Sequence, residues 1–353
     1  MLSLNLDNKF IIWCFIYLIL LFYYIPDFMK IGVYIFITIG ATYQITQKNK
    51  LADYVFLTIT LIFLIYWFLV SGHINVINSF RYFLGFILFY FFFKRIDDIN
   101  FDHIFIILTV LIIIECLLIN TIIDAPLMPN IPDRLYDIRS GNSHLLDAGY
   151  LEQGIYQRPF GPGGLASSTS LVYITVLLLT SRYTLIKDIL AASVIMILHN
   201  GTGYLSFIIY VFFKRRMYFL SLPLLIPLLI YFDITDIFTR KIGIDYIIEL
   251  IILKFGEINS FYDNSSLSKI ILGSGNFTDQ GGDFKMFALI RILGLAYPIF
   301  LLTWILTKVN RFNYLPLILL GIMSVHYGGV FSVPGQFLLA YLISQNIEEK
   351  KYG

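Results

Sequence analysis

Arg158-Pro159-Phe160-Gly161-Pro162-Gly163-Gly164 sets a guanidinium just ahead of a run of prolines and glycines, and an apolar stretch follows from Leu165. Proline stiffens such an approach, and glycine lets backbone come close to a ligand. A helix starting near Leu165 would present free N–H groups, and helix N-termini bind anions, with an adjacent arginine forking onto phosphate oxygens. The pattern predicts a phosphate cradle. The same residues also make an ordinary junction of loop and helix with a solvated arginine.

Further groups extend that chemistry. Arg240 stands on a predicted amphipathic helix, Asp236–Phe255, and beside Arg158 becomes a second clamp for a diphosphate; alone it would be a solvated or headgroup-binding arginine. Leu272-Gly273-Ser274-Gly275-Asn276 and Gly281-Gly282-Asp283 lead into Arg291-Ile292-Leu293-Gly294. Asp283, at the membrane end of a span, suits a partly desolvated general base, and suits a helix N-cap equally. Arg291 lies deeper in that span, where a charge is costly and should face a cavity or a partner. Arg81 either lines a cleft or snorkels to headgroups. His199, before Gly201-Thr202-Gly203, and His326, before Gly328-Gly329, are secondary candidates beside glycine breaks. The histidines show no zinc-ligand spacing, and there is no Walker loop, HExxH or GxSxG, so no metal or cofactor is expected.

The elements that must position these groups are apolar. Of 353 residues, 58% are hydrophobic and only 14% charged, and mean hydropathy is +0.79. A soluble domain is about a quarter charged, so lipid is the expected solvent. Cys14 and Cys116 both fall in apolar runs and are not expected to pair.

Spans are predicted over Phe10–Tyr24, Ile31–Ile45, Ala52–Val70, Phe80–Phe93 and His103–Ile123, then Leu165–Ser181, Asp188–His199, Gly203–Phe213 and Met217–Phe232. Phe284–Leu306, Tyr314–Tyr327 and Phe331–Ser344 complete twelve, several of them short. With the N-terminus cytoplasmic, every short turn with two or more basic residues falls inside, as does the C-terminus: Lys48/Lys50, Lys94/Arg95, Arg182/Lys187, Lys214-Arg215-Arg216, Lys308/Arg311. Lys30 is the exception. The count requires a break at His199-Asn200-Gly201-Thr202-Gly203. Two long segments, 124–164 and 233–283, then lie outside, carrying Arg134, Arg139, Arg158 and Arg240; residues Asn259–Asn276 read as a Ser/Asn/Gly loop. The fold class is an all-α polytopic membrane protein with about twelve transmembrane helices, some short or broken, in a single membrane domain.

On these residues the chain resembles the O-antigen polymerase and ligase superfamily. The likeness rests on Arg158-x-x-Gly161 before Leu165-Ala166, the short paired spans around His199-Asn-Gly-Thr-Gly, Arg240 on an external helix, and Leu272-Gly-Ser-Gly ahead of Asp283 and Arg291-Ile-Leu-Gly294. It covers roughly residues 75–345. The resemblance implies a GT-C-like, metal-independent glycosyltransferase in the bacterial inner membrane. Such an enzyme joins undecaprenyl-diphosphate-linked oligosaccharide repeats at the periplasmic face, with membrane lipids and a chain-length regulator as partners and no nucleic acid. It carries Arg158 and Arg240 over as catalytic diphosphate-binding arginines. Arg81 and Arg291 support them, and Asp283 is the candidate base. Ligases place a histidine after their Gly-x-Gly turn; here that neighbourhood offers Asp283, which favours a polymerase. Neither Arg158 nor Arg240 is followed by glycine at the offset some polymerase loops show.

The main rival is a lipid-linked oligosaccharide flippase. Transporters place charges at the bilayer midplane and show two related halves; the sequence is read as lacking both. A membrane acyltransferase would need a reactive histidine or nucleophile set that the chain does not offer.

Overall fold

A computed structural model of the chain describes residues 6–47, 49–71, 85–94, 96, 99–118, 159, 161–164, 166–198, 200–214, 252, 255–256, 258–276, 285–310, 313–327, 330 and 332–344. Every regular element among them is a helix: α1 (Leu6–Leu20), α2 (Asp27–Thr46), α3 (Leu51–Ser71), α4 (Gly85–Phe93), α5 (Phe101–Leu117), α6 (Ala166–Leu179), α7 (Leu185–Leu198), α8 (Gly201–Lys214), α9 (Leu267–Leu272), α10 (Lys285–Leu293), α11 (Ala296–Leu306), α12 (Tyr314–Tyr327) and α13 (Val333–Ser344). Among the described residues, α2 over Phe28–Thr46 and α3 over Leu51–Ser71 are long and apolar enough to cross a membrane. At 1.5 Å per residue α3 reaches about 30 Å, the thickness of a hydrocarbon core. Helices α6, α8, α11 and α13 are apolar but shorter.

Local sequence explains the ends. Asn100 caps α5, its side chain accepting from the amides of Asp102 (3.1 Å) and His103 (3.2 Å). Asn310 and Asn313 cap each other ahead of α12, each side-chain oxygen accepting from the other's amide, and the Asn313 amide group also donates to the Lys308 and Leu342 carbonyls. Hydroxyls inside the bundle return to their own helix: Thr60 to Phe56 O, Thr109 to Phe105 O, Ser170 to Ala166 O.

Helix α6 is the hub. Every residue from Ala166 to Leu178 is buried, and it touches α5, α7, α8, α12 and α13. Helix α4 is buried except at Leu88 and wedges between α13 and α2, with Phe93 edge-on to Phe337 at 4.7 Å. At the rim, α2 turns Phe28, Ile31, Ile35 and Ile39 outward, while α3 turns out Ile62 and Ile65. Apolar side chains thus line the outside as well as the core, and buried serines and threonines gather on α6.

The predicted span Phe284–Leu306 needs correction: α10 stops at Leu293, Gly294 takes φ +72, and α11 resumes at Ala296. So does the predicted loop Asn259–Asn276, which is helical over 258–264 and again in α9, with Ser266 as N-cap. Lys30, the odd basic residue in the topology, lies over the Phe22 ring at 5.6 Å. The predicted span Met217–Phe232, most of Asp236–Phe255, and residues 124–158 of the first long segment lie outside the described residues.

Candidate functional site

The glycine turn ahead of α6 is buried at Pro159 and through Gly161–Gly164. Glu115, near the end of α5 and fully buried, reaches it from below. Its Oε2 accepts from the Gly161 amide (3.0 Å) and from the Tyr24 hydroxyl (2.5 Å), in the turn between α1 and α2. Thr169, one turn into α6, accepts from the Gly163 amide through Oγ1 (2.9 Å), and the Gly164 amide donates to Gly161 O (3.0 Å). Three amides of the turn, those of Gly161, Gly163 and Gly164, are therefore bonded within the protein, and the turn is a clamp on the backbone that follows Arg158. The close fit requires glycine: Gly161 and Gly164 have φ +66 and +76. A Cβ on Gly163 would meet the Thr169 amide nitrogen at 2.4 Å, and one on Gly164 the Tyr23 ring at 2.9 Å.

The predicted break at His199–Gly203 is present. Helix α7 ends at Leu198, and Asn200 caps α8 by accepting from the Gly203 amide (2.7 Å). The Asn200 amide group also donates to Ala166 O (3.2 Å) and Ser170 Oγ (2.8 Å), tying the break to the start of α6. Irregular backbone buried in the bundle survives here because protein groups satisfy it.

Leu272-Gly-Ser-Gly and Arg291-Ile-Leu-Gly294, which the sequence grouped in one constellation, meet. The amide and hydroxyl of Ser274 both donate to Arg291 O (3.1 and 3.0 Å), the Gly275 amide to Ile292 O (3.0 Å), and the Leu295 amide to Ile270 O (3.0 Å). Trp67 at the end of α3 donates its indole N–H to Leu272 O (2.7 Å). The Arg291 guanidinium sits 5.3 Å from the Phe287 ring centre, and the residue is half-buried.

Both glycine clusters occupy one end of the bundle, because α3 runs from Asp53 to Trp67 and α5 from Asp102 to Glu115. The other end is basic. Asp53, fully buried, accepts from Lys94 (2.6 Å) and Tyr90 (2.7 Å) and pairs with Lys308 (3.5 Å). Lys187 donates to Asp102, which also accepts from the Ser181 hydroxyl (2.6 Å). Tyr341 touches both Phe93 and Phe101, which joins the two groups at the same end. Asp102 precedes the apolar span that starts at His103. Burial raises its carboxyl, but Lys187 and Ser181 outweigh burial and hold it below the ordinary carboxylate range.

Of the predicted site residues, Arg291 is described with its side chain. Arg158, Arg240, Asp283, Arg81 and His199 lie outside the described residues; His326 lies on α12, with its side chain outside them. Sequence reasoning missed Glu115, Tyr24 and Asn200. It read the chain as lacking midplane carboxylates, whereas Glu115, fully buried, lies within the predicted span His103–Ile123. The signal was present: an acidic residue in an apolar run is expensive unless bonded. Comparison with protein-family models, curated proteins and solved structures finds no match for the chain.

Proposed function

We propose that the protein is a multi-pass membrane glycosyltransferase of the polymerase type. It joins undecaprenyl-diphosphate-linked oligosaccharide repeats at the outer face of the bacterial inner membrane. It is built from about twelve spans in a GT-C-like arrangement, with both termini cytoplasmic. The observation that carries this reading is the clamp on the backbone after Arg158. The turn that follows this arginine is held by a buried carboxylate, itself braced by a tyrosine, and by a threonine, and a turn held in this way suits the placing of an arginine at the lipid surface. The basic cluster of Lys94, Lys187 and Lys308 at the opposite end supports the orientation.

In this reading an acceptor sugar hydroxyl attacks the anomeric carbon of the donor glycan. The bond from that carbon to the diphosphate oxygen breaks, undecaprenyl diphosphate leaves with the electron pair, and the hydroxyl proton passes to Asp283. Arg158 and Arg240 stabilise the charge that develops on the leaving diphosphate, with Arg81 and Arg291 alongside. His199 and His326 remain secondary candidates for proton transfer.

The break at Gly294 favours a second reading. Interrupted helices are a mark of transporters, which use freed backbone groups to hold substrate, so a lipid-linked oligosaccharide flippase is the rival. Here the freed groups bond to Ser274, Gly275 and Ile270 instead, which favours the enzyme. The test is purified protein in proteoliposomes with a lipid-linked repeat unit, products resolved on a gel. A ladder supports the polymerase and a single transfer to lipid A a ligase; movement of unchanged substrate across the bilayer supports the flippase.

A further inference from the structure

Glu115 is a costly residue to keep. It is fully buried between Ile114 and Cys116 on an apolar helix, and a carboxylate in such a place must be matched by donors. Two of those donors come from distant parts of the chain. Tyr24 belongs to the turn between α1 and α2, and Gly161 to the turn directly after Arg158-Pro159-Phe160. The neighbouring Tyr23 ring lies against Gly164, while Thr169 holds the turn from α6.

We infer that Glu115 is a positioning residue. Through the Gly161 amide, and with Tyr24 as its brace, it fixes the turn that follows Arg158-Pro159-Phe160, and its role in the proposed reaction is to hold the chain there so that Arg158 can meet the diphosphate. The inference rests on the proposed function of Arg158. What the turn needs from position 115 is a bonded acceptor oxygen, which glutamine also supplies. Glu115 does not touch substrate; it is closed off beneath the turn.

The test uses the full chain in proteoliposomes, with Glu115→Ala, Glu115→Gln and Tyr24→Phe. Glu115→Ala is expected to lower glycan extension by about tenfold or more, in line with the cost of small misplacements of a catalytic group, with Glu115→Gln close to wild type and Tyr24→Phe between them. A second readout does not depend on polymerisation. In a Cys14→Ser/Cys116→Ser background, Arg158→Cys is labelled with a membrane-impermeant maleimide. Its labelling rate should change in Glu115→Ala and Tyr24→Phe but not in Glu115→Gln. Where Glu115→Ala fails to accumulate, Tyr24→Phe and Glu115→Gln still decide. Equal labelling rates across the variants overturn the assignment, as does Glu115→Gln behaving like Glu115→Ala in well-folded protein, which would mean that the charge itself is needed. If the wild type extends no glycan while the labelling pattern holds, the polymerase reading falls and the positioning role stands.

Discussion

Gly273 and Gly294 lie backbone against backbone: a Cβ on either would come within 2.5 Å of the other's amide nitrogen, and each would also strike a carbonyl oxygen, Ile292 O or Ile271 O, at 2.3 Å. Both have positive φ, +87 and +72. No side-chain adjustment relieves a collision with backbone. Gly273→Ala and Gly294→Ala are therefore expected to destabilise the protein by more than the ~1 kcal/mol of an ordinary left-handed glycine replacement. The check is thermal unfolding in detergent, where both variants should melt well below wild type; an unchanged midpoint in either would show that the crossing opens without loss.

The turn before α6 makes a softer prediction. A Cβ on Gly161 would meet Thr169 Cγ2 at 2.3 Å, a methyl that serine lacks. Gly161→Ala should be destabilised, and adding Thr169→Ser should recover part of the loss while keeping the Oγ1 that receives the Gly163 amide. A double-mutant cycle on the melting midpoint reads the coupling.

At the basic end, Asp53 balances two ammonium groups at once. Asp53→Asn keeps an acceptor for Tyr90 but leaves Lys94 and Lys308 facing each other. The expected loss is about 2–3 kcal/mol, toward the low side for a broken buried pair because both lysines retain some solvent contact. Adding Lys308→Met should restore part of it. Chemical denaturation of the wild type, the single and the double variant separates the terms.

Asp102 gives the pH dependence. Its folded carboxyl titrates below the ordinary value of about 3.9, so its contribution to stability is present above that value and is lost as pH falls through the lower folded one. Between about pH 5 and 3 the wild-type melting midpoint should fall more steeply than that of Asp102→Asn. Parallel curves would remove the Lys187 pair from the account of acid sensitivity.

Activity tests the arginines. Arg158→Ala and Arg240→Ala should each lower glycan extension by about 10²–10³-fold, as expected for removing a donor aimed at developing charge, while protein levels in the membrane stay normal. Wild-type ladders in both would remove the site assignment.

Much of the helix pattern was legible because apolar runs report directly on helices. Tyr314–Tyr327 is read identically, and α2, α3, α6 and α7 start and stop within a few residues of expectation. The break at His199–Gly203 was legible from charge placement alone. The break at Gly294 was not: a single glycine in an apolar run carries no sign of the segment, here Ser274 and Gly275, that will take the released carbonyls. Glu115 was missed for a similar reason. Its meaning depends on Tyr24 and Gly161, which stand 91 and 46 residues away in sequence, and no local pattern encodes that meeting. The glycines of the turn were singled out for letting backbone approach a ligand, and no local pattern showed that the amides of Gly161, Gly163 and Gly164 would bond within the protein.

The burial of α6 has one more consequence. A rod enclosed by α5, α7, α8, α12 and α13 along its whole length has nowhere to slide or tilt without disturbing all of them at once. In the proposed function, any opening that admits a lipid-borne sugar chain would then arise among the helices at the rim, leaving the centre as a fixed anvil against which they move.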